Sequence, residues 1–174
     1  VVRERVVSSS IDEGAVRITS LKDGSLMHTH KLNARVTSLA TSGSIGDGLF
    51  MCGTEDSKIL VYDLLTYHLQ HTMDHEEDRI TSLVVIEPGV SLAAHIVSGS
   101  VDGWIKMWSF DGELERCFNS GINDEFTCVR VWPGHEPGVL QFYTSSMDGT
   151  IKLWHVQESE EKESIVSLEQ QEQT

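Results

Sequence analysis

Ser98-Gly99-Ser100-Val101-Asp102-Gly103-Trp104-Ile105-Lys106-Met107-Trp108 aligns without a gap on Thr144-Ser145-Ser146-Met147-Asp148-Gly149-Thr150-Ile151-Lys152-Leu153-Trp154, which begins 46 residues later. Self-similarity at a fixed period of roughly 20–50 residues marks a chain built from stacked structural units. One period further back stands Cys52-Gly53-Thr54-Glu55-Asp56-Ser57-Lys58-Ile59-Leu60-Val61-Tyr62, with Tyr62-Asp63 where the other copies close on Trp. A weaker fourth copy opens the chain: Ser8-Ser9-Ser10-Ile11-Asp12, an additional Glu13, then Gly14-Ala15-Val16-Arg17-Ile18-Thr19.

A second motif keeps nearly the same step. Val36-Thr37-Ser38-Leu39, Ile80-Thr81-Ser82-Leu83 and Phe126-Thr127-Cys128-Val129 are spaced 44 and 46 residues apart. Two motifs sharing one period make coincidence a poor account. Within each copy apolar and polar residues alternate, as in Ile105-Lys106-Met107-Trp108, the period of a half-buried strand. Asp102-Gly103 and Asp148-Gly149 read as hairpin turns, because glycine reaches positive φ without a steric penalty. Further loops are marked at Glu87-Pro88-Gly89 and Pro133-Gly134-His135-Glu136-Pro137-Gly138. No stretch has a strong helical period. Each unit therefore holds four short strands, in one copy around Ile80, Val97, Met107 and from Leu114 to Phe118, and four antiparallel strands in about 40–45 residues make one blade of a β-propeller.

The serine-rich strand, the Asp-Gly turn and the β-branched-x-aliphatic-Trp strand resemble the WD40-repeat family. The resemblance implies an all-β chain of about four blades, each of four antiparallel strands, belonging to a larger ring of seven or eight blades that needs on the order of 300 residues. The expected blades are 1–31, 35–73, 79–119 and 126–169, followed by a disordered tail at 170–174. Residues 162–169 read either as the outer strand of the fourth blade or as a solvated tail. By the same resemblance Asp56, Tyr62, Asp102, Trp108, Asp148 and Trp154 hold the blades together structurally, as does Ser98. The chain departs from the family pattern in two ways. The Gly-His pair before a blade's first strand is represented only by Asp74-His75, and the Trp-Asp ending survives only as Tyr62-Asp63, against Trp108-Ser109 and Trp154-His155. Full Asp-His-Ser-Trp hydrogen-bond networks are therefore not expected.

Composition narrows the function. Asp and Glu number 27 against 13 Lys and Arg, and no window carries the basic stripe that a phosphate backbone requires, which speaks against nucleic acid as a partner. Cys52, Cys117 and Cys128 form no CxxC pair and leave one thiol over if two were bridged, which suits a reducing compartment. With no apolar run of about 18 residues and no secretory leader pattern, the expected location is intracellular, cytoplasmic or nuclear, with no membrane contact. The chain begins at Val1 rather than at Met, which leaves room for residues upstream. The eight histidines lack zinc spacing and read as surface and loop groups. There is no Gly-x-Ser-x-Gly elbow, no zinc-protease His pair and no phosphate-cradling glycine run. No metal or cofactor is expected, and the chain reads as not an enzyme.

The expected function is a scaffold or adaptor that holds proteins on a rigid rim of loops. Resemblance to the family places the favoured face at the loops entering each blade's first strand and at the turn before its third, which selects Arg35, Arg79 and Glu125 together with Glu55, Val101 and Met147. Trp104 lies off the repeat position, so it is either an exposed anchor or an edge-strand packing residue. One alternative is the substrate receptor of a ubiquitin-ligase complex. The Arg that family members carry two residues after Trp-Asp is absent here, its neighbourhood being Leu65, Phe110-Asp111 and Val156-Gln157. Another is a hydrolase built on a propeller. Four blades alone would leave apolar end faces exposed, so the remaining blades or a second half-propeller are expected partners.

Overall fold

The computed structural model describes residues 5–10, 12–43, 48–75, 79–87, 94–119, 126–132 and 139–157. These residues form fourteen strands and, among them, no helix. The strands gather into four antiparallel sheets in chain order. The first contains β1 (Arg5–Ser10), β2 (Ala15–Ser20) and β3 (Leu26–Lys31). The second contains β4 (Val36–Ser42), β5 (Leu49–Thr54), β6 (Lys58–Asp63) and β7 (Leu69–Asp74). The third runs from β8 (Ile80–Ile86) through β9 (His95–Ser100) and β10 (Trp104–Ser109) to β11 (Leu114–Asn119), and the fourth contains β12 (Phe126–Trp132), β13 (Val139–Ser146) and β14 (Ile151–Gln157). Every sheet is a simple meander, as expected of propeller blades. The proposed outer strand at 162–169, the tail at 170–174 and Glu125 lie outside the described residues.

The chain divides into two compact units, Val1–Ile80 and Thr81–Thr174. Each has its own apolar core. Val16, Ile18, Val36, Phe50, Cys52 and Tyr62 are buried together in the first. In the second, Val97, Ile105, Met107, Phe118, Phe126, Phe142 and Trp154 are among the buried cluster. Each such side chain, moved from water into this interior, contributes about 1.5–3 kcal/mol. The alternation seen in the sequence selects these residues: Ile59 and Val61 on β6 are buried, with Leu60 between them partly exposed.

Two recurring irregularities explain the two recurring motifs. The first strand of a blade carries an extra residue, so that Val36 pairs with Thr54 but Ser38 with Gly53, and Phe126 pairs with Ser146 but Cys128 with Ser145. The threonine skipped by the register turns its hydroxyl inward to the partner strand: Thr37 Oγ1 donates to the Gly53 carbonyl at 3.0 Å, and Thr127 Oγ1 meets Ser145 Oγ at 2.7 Å. Thr81 occupies the same motif position and donates to the Gly99 carbonyl at 3.1 Å. Such a bulge leaves one residue unpaired in the ladder, and the threonine side chain compensates. Where an outer strand is described, its pairing with the strand before it shifts register too, between Ile18 and Thr19, Val61 and Tyr62, and Met107 and Trp108.

At the hairpin between a blade's second and third strands, Gly103 has φ of 78° and Gly149 of 85°. The Asp before the glycine organises the turn. Asp102 Oδ1 accepts the Trp104 N–H at 3.1 Å and the Ser100 hydroxyl. Asp148 Oδ1 accepts the Thr150 N–H at 2.8 Å and its hydroxyl at 2.7 Å, and these bonds hold the Asp148 carboxyl below its usual value. In the second blade Asp56 instead lies 3.6 Å from Lys58, and Ser57 takes the glycine place with φ of 66°.

The repeat-position aromatics Tyr62, Trp108 and Trp154 are buried, and the two indole N–H groups are satisfied within the blade. Trp108 Nε1 donates to Ser98 Oγ and Trp154 Nε1 to Thr144 Oγ1, both at 2.9 Å. Tyr62 has no indole N–H, and the residue at the Ser98 and Thr144 place is the thiol Cys52. Burial pushes that thiol up to about 12, so it remains neutral and behaves as a small apolar group. The expectation that the histidines are surface groups needs correction. His75 and His95 are buried, and the Nε2 of His30 is enclosed. His30 lies on an outer strand, His75 follows one and His95 opens the inner strand β9, placements that spacing alone does not show.

Candidate partner-docking surface

In the unit Val1–Ile80 the connectors between blades are fastened to the hairpin turns by backbone hydrogen bonds. Leu32 N–H donates to the Gly14 carbonyl at 2.7 Å, Glu55 N–H to the Arg35 carbonyl at 3.0 Å and His75 N–H to the Ser57 carbonyl at 2.8 Å. The connector after β3 is thus tied to both the β1–β2 and the β5–β6 turns. Such bonds fix the loop backbones before any partner arrives, which reduces the ordering cost of binding.

The side chains on this frame face solvent. Arg35 Nε lies 3.8 Å from Glu55 Oε2, and both side chains are about half exposed. An exposed pair of this kind contributes little to folding, typically about 0–1 kcal/mol. Its groups are accordingly available for exchange with a partner's charges. Arg79, on the connector into β8, is half-buried and has interactions of its own. In the unit Thr81–Thr174, Val101 and Met147 sit at the same turn position of successive blades. Val101 is half-buried, whereas Met147 is 66% exposed. The structure therefore brings Arg35 and Glu55 into contact and places Val101 and Met147 on equivalent turns.

Trp104 opens β10, is half-buried, and is held through its backbone: its N–H reaches Asp102 and its carbonyl accepts the Ser100 hydroxyl at 3.2 Å. Asp63, the residue after the aromatic in the second blade, is a turn former that the repeat pattern does not mark. Its Oδ1 accepts the Leu65 and Thr66 N–H groups at 2.8 and 2.6 Å and closes the loop before β7. An Asp shortly before a threonine, at the end of a strand, is a signal for such an Asx turn.

Among the described residues no three His, Cys, Asp or Glu side chains are grouped as metal ligands, and no helix is long and apolar enough to cross a membrane. The surface offers backbone-fixed loops with mixed charged and apolar side chains, which is chemistry for holding a protein surface.

Comparison with known proteins agrees with the repeat. The family model "WD domain, G-beta repeat" (WD40) matches residues 67–109 and 126–155. Among curated proteins, the Saccharomyces cerevisiae protein "Probable di- and tripeptidase DUG2" is 36% identical over 72 residues, 39% of this chain and 8% of that protein. The match thus spans less than a tenth of that relative's length. Among solved structures, the computationally designed Ika4 protein superposes with a TM-score of 0.69 at 23% identity, covering 90% of this chain and 88% of its own. The structure of U3-55K gives a TM-score of 0.74 at 16% identity over 94% of this chain and 48% of its own. At these identities the two structural likenesses concern the fold.

Proposed function

Because the chain belongs to the WD40-repeat family, we propose that it is a non-enzymatic scaffold whose blade-entry loops and adjoining hairpin turns hold a protein partner. The observation that carries this reading is the Arg35–Glu55 pair, exposed on loops whose backbones are bonded to each other. Charge groups on a pre-organised frame steer and orient a partner at little entropic cost. Arg79 belongs to the same proposal in the unit Val1–Ile80, and Val101, Glu125 and Met147 are the proposed docking residues of the unit Thr81–Thr174. The remaining blades of the ring, on a longer chain or a second half-propeller, are part of the same proposal.

The test is partner capture by the chain in parallel with its Arg35→Glu and Met147→Asp variants. Arg35→Glu sets a like charge beside Glu55, and both positions are exposed, so thermal unfolding should change little. The proposal expects loss of the captured protein with unchanged unfolding. Equal capture by both variants would refute this face.

The match to "Probable di- and tripeptidase DUG2" favours a second reading, in which the chain is the non-catalytic propeller portion of a longer peptidase-bearing protein. Under it the chain alone releases no amino acid from di- or tripeptides. Measured turnover by the isolated chain would overturn both this reading and the non-enzymatic scaffold.

A further inference from the structure

The fifth residue of each described outer strand stands opposite a buried aliphatic residue of the strand before it. His30 on β3 pairs with Val16, Met73 on β7 with Ile59 and Phe118 on β11 with Ile105. In the unit Thr81–Thr174, Phe118 lies 6.3 Å from the Phe142 ring and 5.9 Å from that of Trp154, and Phe142 stacks on Trp154 at 6.0 Å and 11°. The unit Val1–Ile80 repeats this triad. Phe50 stacks on Tyr62 at 5.0 Å and 10°, and the third ring is His30, 5.6 Å from Phe50 and 4.5 Å from Tyr62. A titratable imidazole thus occupies the place of a phenyl ring in the seam between the first two blades.

Its surroundings favour the neutral ring over the charged one. His30 Nε2 is buried without a hydrogen-bond partner. His28, two residues earlier on the same face of β3, meets His30 edge-on at 4.5 Å and stacks on Tyr67 at 4.3 Å and 6°. The Arg5 guanidinium from β1 lies 5.8 Å from the centre of the Tyr67 ring and donates to the Leu64 carbonyl. Toward His30 and its ring partners, β1 therefore presents Arg5, β3 presents His28, β5 presents Cys52, β6 presents Tyr62 and the following loop presents Tyr67. Two of these are cationic or can become so, and none is a carboxylate.

We propose that His30, with His28 beside it, makes the seam between the first two blades acid-responsive, so that a proton on His30 loosens β3 from β5 and β6. The enclosed Nε2 has no acceptor beside it for its N–H, and protonation adds a positive charge between His28 and the aromatic faces. The aromatic faces attract a cation, but burial and the neighbouring His28 prevail and hold His30 below the ordinary imidazole value of 6.5. The sign follows: the folded chain binds the proton less readily than the unfolded one. The contribution of the neutral ring is complete above 6.5 and is lost as pH falls through the lower folded value. One proton changes the opening equilibrium by at most a factor of about ten per pH unit. β3 leads directly into the connector carrying Arg35. A coupling of acid to partner release through that connector rests on the docking reading above, whereas the opening itself does not.

The experiment is a pH titration of the full chain from 7.5 to 5, with ¹³C-labelled histidine and with amide hydrogen exchange corrected for intrinsic rate. His30 should titrate below 6.5, and exchange in 26–31 and 49–63 should rise as it does while 139–156 stays protected. His30→Phe, which copies the Phe118 arrangement, should abolish the rise, and His28→Gln should move the His30 titration upward. His30→Met, which copies the side chain at the Met73 position, gives the same reading if the Phe variant does not fold. Titration of His30 at or above 6.5, an acid-induced rise retained in both His30 variants, or an equal rise in 139–156 would each overturn the proposal.

Discussion

At the scale of single residues, the choice between Trp and Tyr at the repeat position dictates what stands two residues along the neighbouring strand's face. An indole brings an N–H that needs a buried acceptor, and Ser98 and Thr144 supply it. Tyr62 brings none, and Cys52 fills the place as an apolar thiol. Thr144→Val keeps the volume and removes the acceptor, leaving the Trp154 N–H buried and unpaired. It should cost about 1–3 kcal/mol, measured by urea unfolding followed by tryptophan fluorescence. Cys52→Ser introduces the opposite error, a hydroxyl with no indole to bind, and should cost a similar ~1–3 kcal/mol by circular dichroism. A loss near zero in either variant would mean that the rung is not what couples these positions.

At the scale of the element, the hairpin turn needs one residue with positive φ. Gly103 and Gly149 provide it freely, while Ser57 adopts φ of 66° with a side chain attached. A left-handed conformation costs a non-glycine residue about 1–2 kcal/mol. Replacing glycine also restricts the unfolded chain, which returns about 0.4–1 kcal/mol. Gly103→Ser should therefore destabilise by up to about 1.5 kcal/mol, and Ser57→Gly should not destabilise. Paired thermal unfolding of the two variants checks this, and a stable Gly103→Ser chain would contradict it. The same turn shows why so much of the fold was legible. Asp-Gly and period-two alternation are local, so the strands around Val97, Met107 and Phe118 could be read without knowing their neighbours. The bulge at Thr37 could not, because an extra residue shows only when two strands are set side by side. His30 was hidden for the same reason: as part of Leu26-Met27-His28-Thr29-His30 it looks like a polar edge, and only pairing with Val16 and packing on Phe50 and Tyr62 make it part of an aromatic cluster. Of the docking residues, Arg35 and Glu55 could be chosen from repeat position, but their approach to 3.8 Å depends on the Glu55 N–H bond to the Arg35 carbonyl, a contact twenty residues apart.

At the scale of the molecule, the exposures of equivalent residues show where, among the described residues, a blade stands without an outer strand. Ile59 and Ile105 face an outer strand, paired with Met73 and Phe118, and are 0% exposed. Ile151 has the same place on β14 and is 68% exposed, with Met147 on the turn before it at 66%. A sheet edge carrying large apolar side chains favours strand addition, because it offers unpaired backbone groups and apolar area at once. A net charge of −14 opposes random association of such edges but not a specific strand that buries Ile151. A strand that completes the fourth blade, whether residues 162–169, more of a longer chain or a second half-propeller, should therefore protect β14 from amide exchange and should lose affinity when Ile151 becomes Lys. Burying that lysine would forfeit about 1.5–3 kcal/mol of apolar transfer, so the dissociation constant should rise by roughly one to two orders of magnitude. Sedimentation of the chain with and without the completing piece measures this, and an Ile151→Lys chain that assembles as tightly as the original would show that closure does not use this edge.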